Sequence, residues 1–208
     1  MSERQFKEPP DRLYGRRSGH RLRARQRLLL AEILPRLRFA PDDARDPAGA
    51  FAPRAGEVWL EVGFGAGEHA LATIGAHAGI GLIACEVFEN GVASLLSTLV
   101  PEGEEASSLL PGNLRLWTDD ARVLIRALPH ASVGRLFLLF PDPWPKARHA
   151  KRRFLHPLFL PEIARILSPG AEWRIATDDP VLQGWTAEVL ARQEFFRVSL
   201  PLARRPVG

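Results

Sequence analysis

Apolar positions change their period along the chain. Leu22, Leu29, Ile33 and Leu37 recur near the helical period, with arginines opposite them. That spacing predicts an amphipathic helix over 22–37. The residues before it, 1 to about 20, are charged and carry Pro9, Pro10, Gly15 and Gly19, which predicts a disordered or loosely held arm. The residues after it, Pro41 to Pro53, are polar and rich in Ala, Asp and Pro, and read as a linker. From Glu57 onward, short apolar runs alternate with helical patterns. Strands are predicted at 58–62, 81–86, 114–117, 133–140 and 172–176, with a last one at 195–200. Helices are predicted at 68–78, 89–100, 121–128, 157–167 and 181–193. The run 133–140 is the most apolar, as expected of a central strand covered on both faces. Repeated β-α units of this length imply an α/β fold, a parallel sheet between two layers of helices. The chain thus divides into a basic arm, helix and linker (1–53) and an α/β domain (54–208).

Ligands of such sheets bind at the carboxyl ends of the strands, so the chemistry is expected there. The first strand closes in Glu61-Val62-Gly63-Phe64-Gly65-Ala66-Gly67-Glu68. Glycines there let the backbone approach a ligand closely. The spacing is G-x-G-x-G, and Glu68 would repel a pyrophosphate at the start of the following helix. A phosphate-free cofactor fits better. S-adenosylmethionine carries a sulfonium, an ammonium and a ribose diol, and Glu61 suits its cationic end. Glu86 closes the second strand, where a carboxylate can accept hydrogen bonds from ribose hydroxyls. Asp119 and Asp120 close the third, within reach of an adenine amino group, although either one also suits a helix cap. Three successive strands ending in an acid beside a glycine loop point to a nucleoside site.

Charge changes the picture next. The net charge is only +4, but nine arginines lie between Arg12 and Arg38 with Glu32 the one acid among them. A second cluster holds Lys146, Arg148, His149, Lys151, Arg152 and Arg153. Clusters of this kind suit a polyanion, since each neutralised phosphate releases counterions. No apolar run approaches the ~18 residues that span a bilayer, and the charged N-terminus lacks the apolar stretch of a signal peptide. A cytoplasmic protein without membrane partners is expected. Cys85 is the single cysteine and lies in an apolar strand, so it reads as core. The histidines have no metal-ligand spacing, no G-x-S-x-G elbow occurs, and no metal is expected.

The fourth strand runs into Phe140-Pro141-Asp142-Pro143-Trp144-Pro145-Lys146-Ala147-Arg148-His149-Ala150-Lys151-Arg152-Arg153. Prolines on both sides of Asp142 restrict the backbone and hold the carboxylate rigidly at the strand end. Trp144 is placed to stack on a base or to cover the pocket. This stretch resembles the signature of bacterial TrmB-type tRNA (guanine-N7-)-methyltransferases. The resemblance extends through Glu61-Val62-Gly63-Phe64-Gly65, the Glu86 strand, Asp120-Ala121, Ala176-Thr177-Asp178 and the N-terminal Tyr14-Gly15-Arg16-Arg17, nearly the whole chain.

The resemblance implies a class I S-adenosylmethionine-dependent methyltransferase, Rossmann-like, that methylates guanine 46 of the tRNA variable loop. By motif, Glu61, Glu86, Asp120 and Asp142 would line the donor site together with Gly63, Gly65 and Gly67. Lys146 and Asp178 would contact the substrate. Arg148, Lys151, Arg152 and Arg153 would hold RNA phosphates, and Asp142 would be the catalytic carboxylate. A monomer is expected, with a homodimer as the alternative. The family pattern continues with a Thr-Lys/Arg-Phe/Tyr-Glu segment and a final strand. This chain ends at Arg204-Arg205-Pro206-Val207-Gly208 without either, so the sheet is expected to lack that strand. Other readings remain open at this point. A methyltransferase with another acceptor would share the donor end but not explain two basic clusters. An RNA-binding protein of this fold with weak or no activity would explain the arginines but not the acids. A nicotinamide dehydrogenase would require G-x-G-x-x-G.

Overall fold

Five of the apolar runs form one sheet. In the computed structural model, which describes residues 17–199, the strands are β1 (Glu57–Val62), β2 (Ile80–Cys85), β3 (Leu114–Trp117), β4 (Val133–Leu139) and β5 (Leu167–Ala176). They pair in the order β3-β2-β1-β4-β5, and every neighbouring pair is parallel. Parallel neighbours need crossovers, and the helices supply them. These are α3 (Glu68–Ala76), α4 (Glu89–Leu99), α5 (Ala121–Ala127), α6 (Leu160–Ile166) and α7 (Pro180–Leu190), preceded by α1 (Ala24–Glu32) and the short α2 (Leu34–Leu37).

Period-two alternation sorts the strand side chains onto two faces. Val58, Leu60 and Val62 of β1 join a cluster with α5, α6 and α7. Trp59 of the same strand joins a second cluster with α1 to α4. Both faces of β1 and β4 are therefore covered, as the apolar run of β4 requires. Cys85 is buried in the first cluster, and burial pushes its thiol pKa well up. It is core.

The predicted helix 22–37 is two helices. Pro35 has no N–H to continue the ladder, and the chain restarts at Leu34. Its apolar stripe packs on the protein: Leu29, Ile33 and Leu37 are fully buried with α4 and β3, while Arg21, Arg23, Arg27, Arg36 and Arg38 stay exposed. Residues 41–50 form two 3-10 turns, and Ala44 and Phe51 reach the core. Strand β5 starts at Leu167, before the Ser-Pro-Gly stop, because Leu167 pairs with Val133; the ladder then shifts and resumes at Arg135 with Glu172. Residues 195–199, expected to begin a last strand, form none, and Leu200 lies outside the described residues. Phe196 instead packs edge-on against Trp173 of β5. Of the expected loose arm, residues 1–16 lie outside the described residues. No helix among the described residues is long and apolar enough to cross a membrane.

His156 is buried at the start of a 3-10 turn, where its Nδ1 accepts the Leu158 N–H. Burial, and then the charge of Arg122, depresses its pKa from 6.5 to about 4. Between those values the unfolded chain holds a proton that the folded chain refuses. Stability is therefore full above about pH 6.5 and falls as the pH drops toward 4. Denaturant unfolding should show about 1 to 2 kcal/mol lost to this residue between pH 7 and pH 5. His156→Asn keeps an acceptor at the cap and should flatten that dependence; an identical pH dependence in the variant contradicts the assignment.

Candidate functional site

The order β3-β2-β1-β4-β5 reverses direction between β1 and β4. Their crossovers leave on opposite sides, which opens a crevice at the carboxyl ends of the strands. A cavity of about 510 Å³ lies there, lined by the segments that follow β1, β2, β3 and β4. That volume lies within the range of small-molecule sites, ~300–1,000 Å³.

The glycine loop forms one wall. Gly63 and Gly65 have φ of 78° and 60°, the left-handed region that side chains avoid. A Cβ at either position would meet nothing within 4 Å, so the loop is bare toward open space rather than toward packed protein. Gly67 begins α3 with φ 94°, and a Cβ there would overlap Leu95. Glu86 anchors the loop. Its Oε2 accepts the Gly65 N–H (2.8 Å), and its Oε1 accepts the N–H groups of Val87 (2.8 Å) and Phe88 (2.9 Å). A carboxylate has about four acceptor positions, so one fixed this way can still receive a ligand hydroxyl. Helix α4 presses from behind, where a Cβ on Gly91 would overlap the Gly65 carbonyl.

The other acids divide. Asp119, Asp120 and Asp142 all line the cavity. Asp120 caps α5 by accepting the Arg122 N–H (2.9 Å), so the cap and the cavity share one side chain. Glu61 is not among the lining residues. Alternation puts it on the Trp59 face of β1, 2% exposed, with Oε2 3.0 Å from Nδ1 of His69 on α3. A carboxylate at that oxygen requires the proton on Nδ1. Burial raises the Glu61 pKa above the usual carboxylate value, and His69 offsets only part of that.

The loop after β4 carries the most unusual backbone. Phe140 (φ 48°) and Trp144 (φ 44°) are both left-handed without being glycine. Such residues persist only where their surroundings hold them, and they gather at functional sites. Arg153 does the holding. It is 4% exposed, it donates from Nε to the Pro143 carbonyl (3.0 Å) and from Nη2 to the Trp144 carbonyl (3.0 Å), and its guanidinium sits 4.8 Å from the Trp185 ring centroid. The Arg153 carbonyl in turn accepts from Arg122 Nη2 (3.1 Å), next to Asp120. Expected among the phosphate contacts, Arg153 is instead the buried brace of the Asp142 loop. Arg153→Lys loses the two-pronged bond and should cost about 2 kcal/mol of stability. It should also slow turnover at saturating donor, because Asp142 is no longer fixed; stability and turnover both equal to wild type contradict the brace.

The remaining cations of this run are less buried than Arg153. Lys146 and Arg148 are exposed, Lys151 and Arg152 half-buried, and Arg152 also lines the cavity with its guanidinium 4.9 Å from the Trp144 ring centroid. His149 meets the same ring edge-on. Burial and then Arg152, Arg148 and Lys146 lower the His149 pKa. Asp178 is exposed two residues past β5 and does not line the cavity. The strand end before it is tied to the Asp142 loop, since the Phe140 N–H donates to the Ala176 carbonyl (2.8 Å).

One contributor carried no sequence signal. Asn90 on α4 accepts the Gly19 N–H (2.8 Å) and donates to the His20 carbonyl (2.9 Å), while the Glu89 N–H donates to the Arg17 carbonyl (2.9 Å). Residues 17–20 are thereby strapped beside the cavity, and the Arg17 guanidinium lies 3.3 Å from Asp119.

Residues 55–204 match a family described as putative methyltransferases. The chain is 55% identical to a tRNA (guanine-N(7)-)-methyltransferase of Granulibacter bethesdensis, over 100% of this chain and 89% of the relative. It is 46% identical to that of Paramagnetospirillum magneticum (93% and 80%) and 42% identical to that of Rhodospirillum rubrum (89% and 72%). Identity at this level over nearly the full chain spans the glycine loop, the strand-end acids and the braced Asp142 loop, and the chain belongs to the tRNA (guanine-N7-)-methyltransferase family.

Proposed function

We propose that the chain transfers a methyl group from S-adenosylmethionine to N7 of guanine 46 in the tRNA variable loop. The observation that carries this is the convergence of a bare glycine loop and the acids Glu86, Asp119, Asp120 and Asp142 on one cavity beside an exposed basic loop. The donor fits that cavity chemically. It brings hydroxyls for Glu86, an amino group for Asp119 or Asp120, and positive charge for a set of acids. It brings no phosphate to oppose them.

When bound, the donor would supply a methyl group on a sulfonium: guanine N7 takes it with its free lone pair, while the carbon–sulfur bond breaks and its electron pair stays on sulfur as a neutral thioether. The chain therefore needs no strong base. Its task is to hold N7 in line with the methyl carbon, which is catalysis by positioning. Asp142, on a loop pinned by prolines and Arg153, faces the purine as positive charge arrives there. Asp178 approaches from the neighbouring strand end. Lys146, Arg148, Lys151 and Arg152, with the exposed arginines of α1 and α2, hold RNA phosphates. Glu61, turned to His69, supports the donor site from behind the glycine loop. In this reading residues 54–208 carry the donor site and residues 1–53 add basic surface. The chain works as a monomer in the cytoplasm.

Labelled S-adenosylmethionine and unmodified tRNA transcripts test the proposal. Label should enter wild-type transcript and not one whose variable-loop guanine is replaced. Equal label in both transcripts, or none in either, contradicts it.

A further inference from the structure

Four aromatic side chains line the cavity: Phe88, Phe140, Trp144 and Phe154. Three are engaged. Phe88 lies against the strapped Gly19, where a Cβ would come 2.8 Å from its ring. Phe154 meets Phe159 edge-on at 5.7 Å and Arg122 at 5.5 Å. Trp144, which the sequence offers as a base stacker, already has the Arg152 guanidinium 4.9 Å from its ring centroid and His149 at its edge. Phe140 differs. It is 65% exposed and has no ring or cation partner among the described residues.

Neither the exposure nor the backbone of Phe140 is explained by packing. An aromatic ring gains from burial, yet this one is held outward. The left-handed φ of 48° is a conformation that large side chains disfavour. Its N–H is tied to Ala176, and Pro141 follows, so the backbone that carries the ring is held in place. Asp142 is two residues away on the same cavity lip. A flat apolar face beside the catalytic carboxylate fits a purine, because every base has a π-face to stack.

We propose that Phe140 is the platform on which the target guanine stacks, while Trp144 serves to position the loop. The inference rests on the reading of the chain as a tRNA guanine-N7 methyltransferase. Phe140→Asn tests it without a folding penalty, since asparagine tolerates the left-handed region and has no ring; Phe140→Trp restores a ring. With unmodified tRNA transcript, kcat/KM for tRNA should fall roughly ten- to a hundredfold in Phe140→Asn and recover most of that loss in Phe140→Trp. Donor affinity, read by calorimetry with S-adenosylhomocysteine, should stay near wild type in both. Wild-type kcat/KM in Phe140→Asn overturns the platform, and so does a fall in donor affinity that matches the fall in kcat/KM. Wild-type enzyme is assayed alongside: if it methylates tRNA while Phe140→Asn is equally active, only the platform fails. If wild-type enzyme transfers no methyl to tRNA, the underlying reading fails and takes the platform with it.

Discussion

Asp142→Asn is expected to lower the rate of methyl transfer by roughly a hundredfold while leaving the fold intact. The side chain is exposed on the cavity lip and makes no hydrogen bond or ion pair with another described residue. Its loop is set by Pro141, Pro143 and the Arg153 brace, none of which needs the Asp142 charge. Stability should therefore stay within about 0.5 kcal/mol of wild type. Turnover should not. Replacing the carboxylate by a neutral amide keeps the shape and removes the charge proposed to balance the developing purine cation. Single-turnover kinetics at saturating donor and tRNA separate this from a binding defect. A variant that transfers methyl at the wild-type rate removes Asp142 from the chemistry.

Glu86→Ala is expected to have the second largest effect, and on binding rather than turnover. Three backbone N–H groups converge on this one carboxylate, from Gly65, Val87 and Phe88. Removing it frees the glycine loop and also deletes the acceptor proposed for the ribose hydroxyls. Hydrogen bonds to a charged acceptor are worth about 1.5–3 kcal/mol each, so losing two ribose contacts should weaken donor binding by at least about a hundredfold. Glu86→Gln should fall between, because an amide nitrogen cannot accept the N–H on its side. Calorimetric titration with the donor gives the order wild type, Gln, Ala. An alanine variant that binds donor like wild type contradicts the role of Glu86.

The places of these two residues are legible from sequence because strand ends are legible. The apolar run of β4 stops where its residues stop being buried, so Asp142 had to stand at a carboxyl end. Glu86 followed from the same rule on β2. What sequence did not disclose was direction. Period-two alternation places Glu61 with Trp59, on the α3 side, whereas Val62 faces the other cluster and the cavity. Arg153 was hidden for a related reason. In a run of Lys146, Arg148, Lys151, Arg152 and Arg153, every cation looks alike, and the 3-10 turn at Ala147–Arg152 decides which one points inward. The early start of β5 was obscured because Ser168-Pro169-Gly170 reads as a stop, although Leu167 already pairs with Val133. The strap at residues 17–20 depends on Asn90, seventy-one residues from Gly19, and local patterning carries no trace of such a contact.

The chemical position of the methyl group tests the account most directly. A purine methylated at N7 is cationic, and borohydride reduction followed by aniline cleaves the RNA strand at that nucleotide. After incubation with the enzyme and S-adenosylmethionine, an unmodified tRNA transcript should be cleaved at one variable-loop guanine, only when both enzyme and donor are present. Methyl incorporation without cleavage at that guanine, or cleavage elsewhere, would contradict the assignment of guanine N7 as the acceptor.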